Sequence, residues 1–210
     1  MDIVLIGAGG HGKVVLDIVQ CQGKHRPIGF LDADARLHGT RIGGVEVLGG
    51  LNLLHKLRSK ARGAIVAIGD NRVRQQCAAE ARSAGFELAT AIHPAAVVAG
   101  SATLGSNVVV AAGAIVCTDA TVGDSTIINT GASVDHECFL GEAVHVAPGA
   151  RLAGRVRVEE GAFIGLGAAV IQCLTIGPRA VVGAGAVVIR DVPPAATVVG
   201  CPARIVRRSN

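Results

Sequence analysis

Two clusters of residues in the 210-residue chain have the types and spacing to do chemistry. The first is the run Asp135-His136-Glu137, followed nine residues after His136 by His145. An imidazole titrates near neutral pH, so His136 is a candidate general base, and an acid beside it can hold its other ring nitrogen and raise its basicity. Asp135 and Glu137 both qualify. Asn129 lies close by in the chain. The second cluster is Gly7-Ala8-Gly9-Gly10-His11-Gly12, which follows an apolar run and fits G-x-G-x-x-G, with Asp32 twenty residues beyond Gly12. Glycines in that pattern let backbone N–H groups at a helix start approach a phosphate closely. On its own the motif reads as a dinucleotide fingerprint, with Asp32 on a ribose.

The elements that must position these clusters differ between the two halves. Residues 1–91 alternate between strand-like and helix-like segments. Ile3–Ile6, Pro27–Leu31, Val45–Leu48, Ala64–Ile68 and Phe86–Ile92 read as strands. Lys13–Gln22 and Leu51–Arg58 read as helices, and a third helix, capped by Asp70 or Asn71, runs to Ser83. Together they make a small α/β sheet of nucleotide-binding, Rossmann-like topology. From Ile92 the period changes. Every sixth residue from Ile92 to Val188 is Ile, Leu or Val, and the residue two before it is usually Ala. One inward aliphatic per hexapeptide is the signature of a left-handed parallel β-helix, a triangular prism with three hexapeptides per coil. Residues 92–195 form this domain, and 196–210 a basic tail that caps or flanks it.

The period also predicts neighbours, because residues eighteen apart stack. His136 falls at a corner, with Gly154, Gln172 and Arg190 above it. Gly154 is placed to offer a backbone N–H to a developing oxyanion. His145 falls on a flat face, beside the corner column Pro148, Leu166 and Ala184. His136 and His145 therefore lie on different sides of one prism and meet only across an interface, which points to a threefold homotrimer. Cys138 sits at the small inward position and reads as core.

Composition narrows the classes. Only four residues are aromatic, all Phe, and the formal charge is a mild +4. Nucleic acid is not an expected partner, whereas anionic small ligands are. No apolar run is long enough for a membrane span, and the first segment does not read as a signal peptide. Six cysteines without CxxC spacing fit free thiols in the cytoplasm and point away from a disulfide framework or a zinc site.

The motifs GAGGHG, GFLDAD, AIGDN, IHP, NTGASVDHEC, GEAVHVAPGA, LAG and VGCPAR together resemble the bacterial sugar O-/N-acyltransferases of the sialic acid O-acetyltransferase type. Within that family the likeness is to the enzymes acting on UDP-linked 4-amino sugars, with the dTDP-4-amino-sugar enzymes as close relatives. The resemblance implies transfer of acetyl from acetyl-CoA, the cosubstrate, to the 4-amino group of a nucleotide-linked sugar, directly and without a metal. It implies His136 as general base, tuned by Glu137. It places His145, Leu166 and Ala184 along acetyl-CoA. It places Gly9, Gly10, His11, Asp32, Ala33 and Gly69 on the nucleotide sugar, and Asn129 is a further candidate contact. Arg179, Arg190, Arg204 and Arg207 are candidates for CoA phosphates. A sugar hydroxyl acceptor, as in sialic acid, is the alternative. The run Asp32-Ala33-Asp34 replaces the Asp-Asp of some members and leaves UDP or dTDP open.

Overall fold

The structure, a computed structural model, describes residues 1–208 and divides into two compact units, Met1–Pro94 and the chain from Ala95 onward. The first unit is a six-stranded sheet in the order β3-β4-β2-β1-β5-β6, where β1 is Asp2–Ile6, β2 Arg26–Leu31, β3 Arg41–Ile42, β4 Val45–Gly49, β5 Gly63–Val66 and β6 Glu87–Leu88. All neighbours run parallel except β3 against β4. β1 lies at the centre and its Ile3, Val4, Leu5 and Ile6 are fully buried. Strands buried on both faces read as continuous apolar runs, which is why β1 was legible. Helices α1 (Gly10–Gln22), α2 (Leu54–Leu57) and α3 (Asn71–Ser83) complete the unit.

Three details depart from the sequence reading. Helix α1 starts inside the glycine run rather than at Lys13. Strand β3, which the hydrophobic pattern did not reveal, pairs back on β4 through Gly43 and Gly44, both with positive φ. Two adjacent left-handed residues suit a tight hairpin. β5 ends at Val66, and the expected Phe86–Ile92 strand splits into β6 and a separate Ala91–Ile92 strand, because Ala89 N–H makes the last bond, to the Ala64 carbonyl.

From Ala95 the chain is a regular parallel coil of two-residue strands. Their registers step by eighteen: Val97, Ile115, Ser133, Arg151, Ala169 and Val187 stack on one face. Val109, Ile127, His145, Phe163 and Val181 stack on a second. Thr103, Thr121, Phe139, Arg157 and Thr175 stack on the third. The inward aliphatics from Val110 to Val188 are essentially solvent-free, and so are the alanines at 114, 120, 132, 150, 162, 168, 180 and 186. Each corner uses a left-handed residue. One column is Gly113, Gly131, Gly149, Gly167 and Gly185, but another is Asp119, Glu137, Arg155 and Cys173, which adopt positive φ without being glycine. The tail continues the prism. Ala196–Val199 adds a parallel strand on Val181–Val182, and Arg204–Arg208 folds back on it antiparallel. Ser209 and Asn210, the end of the predicted tail, lie outside the described residues.

Candidate active site

In the first unit, the loop after β1, the loop after β2 and the segment after β5 enclose a cavity of about 400 Å³. The carboxyl ends of parallel strands are where ligands enter open α/β sheets. All six residues of this unit expected to contact a nucleotide sugar, Gly9, Gly10, His11, Asp32, Ala33 and Gly69, line this one cavity. The glycines divide by role. A Cβ at Gly12 would overlap the Gly7 carbonyl, so Gly12 lets α1 approach β1. A Cβ at Gly9, Gly10 or Gly69 would meet no protein atom within 4 Å; the space in front of these backbones is open. Gly9 caps α1 without a side chain, and the first turn of α1 carries no acid. The helix N-terminus therefore offers N–H groups and positive potential to an anion.

Asp32 does more than line the wall. Its two carboxylate oxygens accept from the Ala8 N–H at 2.6 Å and the Asp34 N–H at 2.8 Å, which ties the glycine loop to the loop after β2. His38 Nε2 donates to the Asp32 carbonyl at 2.9 Å and holds that loop from the other side. The apolar wall, Leu31, Leu51, Ile68, Val73 and Cys77, was not anticipated; these residues are remote in sequence and share only their place at strand ends or on the first turns of α3.

One further residue escaped the sequence reading. Arg74 on α3 is fully buried and donates to the Ile68 and Gly69 carbonyls, each at 3.0 Å, and to Asn71 Oδ1 at 2.8 Å. It thereby anchors the segment after β5, whose Ile68 and Gly69 line the cavity. Burial lowers its pKa to about 10, still far above neutrality, so the guanidinium stays charged. Asp70 caps α3 by accepting from the Val73 N–H at 2.9 Å.

In the prism, His136 projects from a corner and is about half exposed. Of its two acidic neighbours, Glu137 meets the ring: Nδ1 stands 2.9 Å from Glu137 Oε2. Asp135 instead accepts from the His136 backbone N–H at 2.7 Å. A carboxylate on Nδ1 fixes the proton there and leaves Nε2 as the basic lone pair. That nitrogen lies over Gly154, one coil above, where any Cβ would overlap the ring. Gly154 is thus required as a space for the imidazole.

His145 lies on another face of the prism, as the half-coil separation requires, and is buried to 8% exposure. Phe163, stacked one coil above, meets its ring edge-on at 5.1 Å between centroids. Asn129 lies 3.2 Å from His145 Nε2 through its amide nitrogen, and its Oδ1 accepts from the Thr130 N–H at 2.8 Å. With Oδ1 committed, the amide donates and Nε2 accepts, so a neutral His145 carries its proton on Nδ1. Asn129 is therefore a partner of His145 on the prism and does not line the cavity of the first unit. Leu166 and Ala184 stack at the next corner, both exposed, with the Gly185 N–H bonded to the Leu166 carbonyl. Arg190 and Arg204 flank a separate cavity of about 290 Å³ at the last coil, whereas Arg179 and Arg207 do not line it. Cys138 is buried, donates to the Ala153 carbonyl at 3.2 Å, and has its thiol pushed up to about 11 by burial, so it is core.

Residues 2–81 match the PglD N-terminal domain family. Across almost the whole molecule the structure matches GDP-perosamine N-acetyltransferase from Caulobacter crescentus, solved as a histidine-to-alanine variant with CoA and GDP-perosamine. The identity is 46%, the TM-score 0.94, and the match covers 99% of this chain and 97% of that one. The chain belongs to the nucleotide-sugar N-acetyltransferases of the hexapeptide-repeat superfamily. The acetyltransferase domain of PglB from Neisseria gonorrhoeae FA1090, also solved with acetyl coenzyme A, matches at 40% identity and TM-score 0.92 over 98% of each chain. A curated relative, the UDP-N-acetylbacillosamine N-acetyltransferase of Bacillus subtilis (strain 168), is 38% identical over 114 residues, 53% of this chain. That match spans about half the length of the Bacillus protein, 51%. Membership makes the coil a left-handed β-helix and settles the acceptor class left open by the sequence: this family acetylates an amine with acetyl-CoA. The Caulobacter relative also brings in a guanine nucleotide, which the sequence reading had not weighed.

Proposed function

We propose that the protein transfers acetyl from acetyl-CoA to the 4-amino group of a nucleoside-diphosphate-linked amino sugar, with His136 as the general base. The observation that carries this reading is the His136–Glu137 pair at 2.9 Å, which holds the ring by Nδ1 and leaves Nε2, beside Gly154, as the basic nitrogen of a half-exposed side chain. The sugar amine attacks the thioester carbonyl carbon as Nε2 takes its proton. The tetrahedral oxyanion is stabilised by backbone N–H donors, for which Gly154 is the candidate. Collapse expels the CoA thiolate, which the protonated imidazole reprotonates. Glu137 stabilises the imidazolium between these two steps. His145 and the Leu166–Ala184 corner lie along acetyl-CoA, and the open-fronted glycines of the first unit hold the diphosphate. Relatives with CoA and acetyl-CoA bound support the donor.

Because the GDP-perosamine enzyme matches end to end, a GDP-linked amino sugar is the first acceptor to test, ahead of the UDP-linked sugars expected from the sequence. The active form is a homotrimer. Val97, Ile115, Leu166, Ile171, Val181 and Ile189 are large apolar side chains left exposed on the single chain, 62% for Val97, and association covers them. No helix among the described residues is long and apolar enough to cross a membrane, and six free thiols fit a reducing cytoplasm.

The test is acetyl transfer, followed as free thiol, to GDP-, UDP- and dTDP-linked 4-amino sugars. The expected result is turnover with one nucleotide class and a product acetylated on nitrogen. Turnover that persists at the wild-type rate in His136→Ala would overturn the assignment of the base.

A further inference from the structure

On the outer face of α1, away from the cavity, three metal-ligating side chains converge. Asp17 and Cys21 are exposed and one helical turn apart, so they share a face. His93, half-buried, comes from the end of the first unit, directly after the Ala91–Ile92 strand that packs against α1. One carboxylate oxygen, the thiol sulfur and one ring nitrogen all lie within 4.8 Å of one another. Pro94 follows His93 and holds its backbone extended. None of the three residues lines the glycine cavity.

We propose that Asp17, Cys21 and His93 form a binding site for a tetrahedral, borderline-soft divalent cation of the zinc class. The donor set is the first argument. An oxygen, a thiolate and an imidazole suit zinc, whereas magnesium and calcium take oxygen ligands. Distance is the second. With bonds of about 2.0–2.3 Å, two ligands of a tetrahedral zinc stand about 3.4–3.8 Å apart. The observed separations need a closure of about 1.4 Å at most, which rotation of two exposed side chains supplies. Charge is the third, since carboxylate and thiolate neutralise the ion. Three protein ligands leave the fourth position to water. Lys13 and Arg41 border Asp17 in a neighbouring groove and work against a bare cation, so the thiolate is the deciding donor. Chain spacing gives no hint of the site, because residues 17, 21 and 93 meet only after folding. The acetyl transfer uses no metal; the ion acts on the first unit by tying α1 to the segment that leaves it.

The experiment is competition for Zn²⁺ between chelator-stripped protein and a chromophoric chelator. One tightly held ion per chain is expected. Cys21→Ser and His93→Gln should each weaken it more than about 100-fold, beyond the 10–100-fold typical of altering a supporting residue, while Cys173→Ser leaves it intact. Co²⁺ in place of Zn²⁺ should give a thiolate-to-cobalt charge-transfer band that Cys21→Ser abolishes. Binding or a band that survives in Cys21→Ser, or an affinity unchanged in His93→Gln, overturns the site. The acetyl-transfer rate of these variants is expected to equal that of the wild type, so the outcome is independent of the catalytic reading.

Discussion

The first unit and the prism are both built on parallel strands, yet they prepare their functional groups in different ways. In the first unit the strands are two to six residues long, and what the cavity offers an anion, beside its apolar wall, is backbone: the bare fronts of Gly9, Gly10 and Gly69 and the N-terminus of α1. Their positions depend on tertiary supports such as Asp32 across two loops and Arg74 under a third. In the prism every strand of the hexapeptide repeats, from Val97 to Val188, is two residues long, and the chemistry is carried by side chains at corners and faces. Each packs against a residue eighteen away, as His136 does on Gly154 and His145 on Phe163, and is hydrogen-bonded by a second residue on the same or the adjoining coil. The comparison teaches that a periodic scaffold writes its contacts into the sequence, whereas a sheet with helices leaves them to the fold.

The largest effect expected from this contrast lies in the prism. His136→Ala should lower kcat about 10²–10⁴-fold, the usual contribution of a general base, while acetyl-CoA and the nucleotide sugar still bind. Steady-state kinetics with isothermal titration of both ligands checks it. A loss of binding that matches the loss of rate would mean that the ring anchors substrate rather than accepting a proton. Next comes Gly154→Ala, which adds one methyl group where the imidazole stands. Gly154 is not among the positive-φ glycines, so the backbone tolerates alanine. A drop of about 100-fold in kcat is expected, since a misplacement of about 1 Å in a reacting group costs that much, with little change in melting temperature. A variant as active as the wild type would free Gly154 from its supporting role.

The counterpart in the first unit should change binding instead. Arg74→Met removes the guanidinium bonds to the Ile68 and Gly69 carbonyls and to Asn71 Oδ1, all of them part-buried, and leaves the fully buried stem. The cost is about 1–3 kcal/mol of stability, together with a rise in KM for the nucleotide sugar and little change in kcat. Denaturant melts and the KM-against-kcat split measure both. A fall in kcat alone would break the division of labour between the two units.

This contrast also explains what could be read in advance. The register of six gave the inward stack, the three corners and the pairs His136–Gly154 and Pro148–Leu166–Ala184 by counting alone. The glycine fingerprint located the cavity, because it reports a turn and a helix start that are local in sequence. Arg74 could not be found that way. Its acceptors are the carbonyls of Ile68, expected as the last residue of the strand, and of Gly69 just beyond it, and nothing in AIGDN announces that a side chain of the following helix folds back onto them. The choice between Asp135 and Glu137 was equally hidden from spacing and residue type, and only the family resemblance pointed to Glu137. The choice depends on the left-handed backbone of Glu137, a conformation that non-glycine sequence does not advertise. The β3 hairpin was the reverse case, since Gly43-Gly44 was a legible turn signal that the short Arg41–Ile42 strand made easy to pass over.

The smallest effect concerns the thiols. Cys138 fills an inward prism position and Cys77 lies in the core of the first unit, both raised by burial, Cys138 to about 11. Cys21, Cys173 and Cys201 are exposed. Alkylation of the chelator-stripped native protein at pH 8 should label the exposed three quickly and Cys77 and Cys138 only on unfolding. The sign of the pH dependence follows from Cys138. Its folded pKa of about 11 lies above the ordinary thiol value of 9.0, so the unfolded chain ionises first as pH rises. The stability held by the neutral buried thiol is full below pH 9 and declines from there toward pH 11. Cys138→Ala removes that slope at the price of a small cavity. Denaturant melts at pH 8 and pH 10 on both proteins measure the difference, and an identical decline in the two would place the alkaline sensitivity elsewhere than in the prism core.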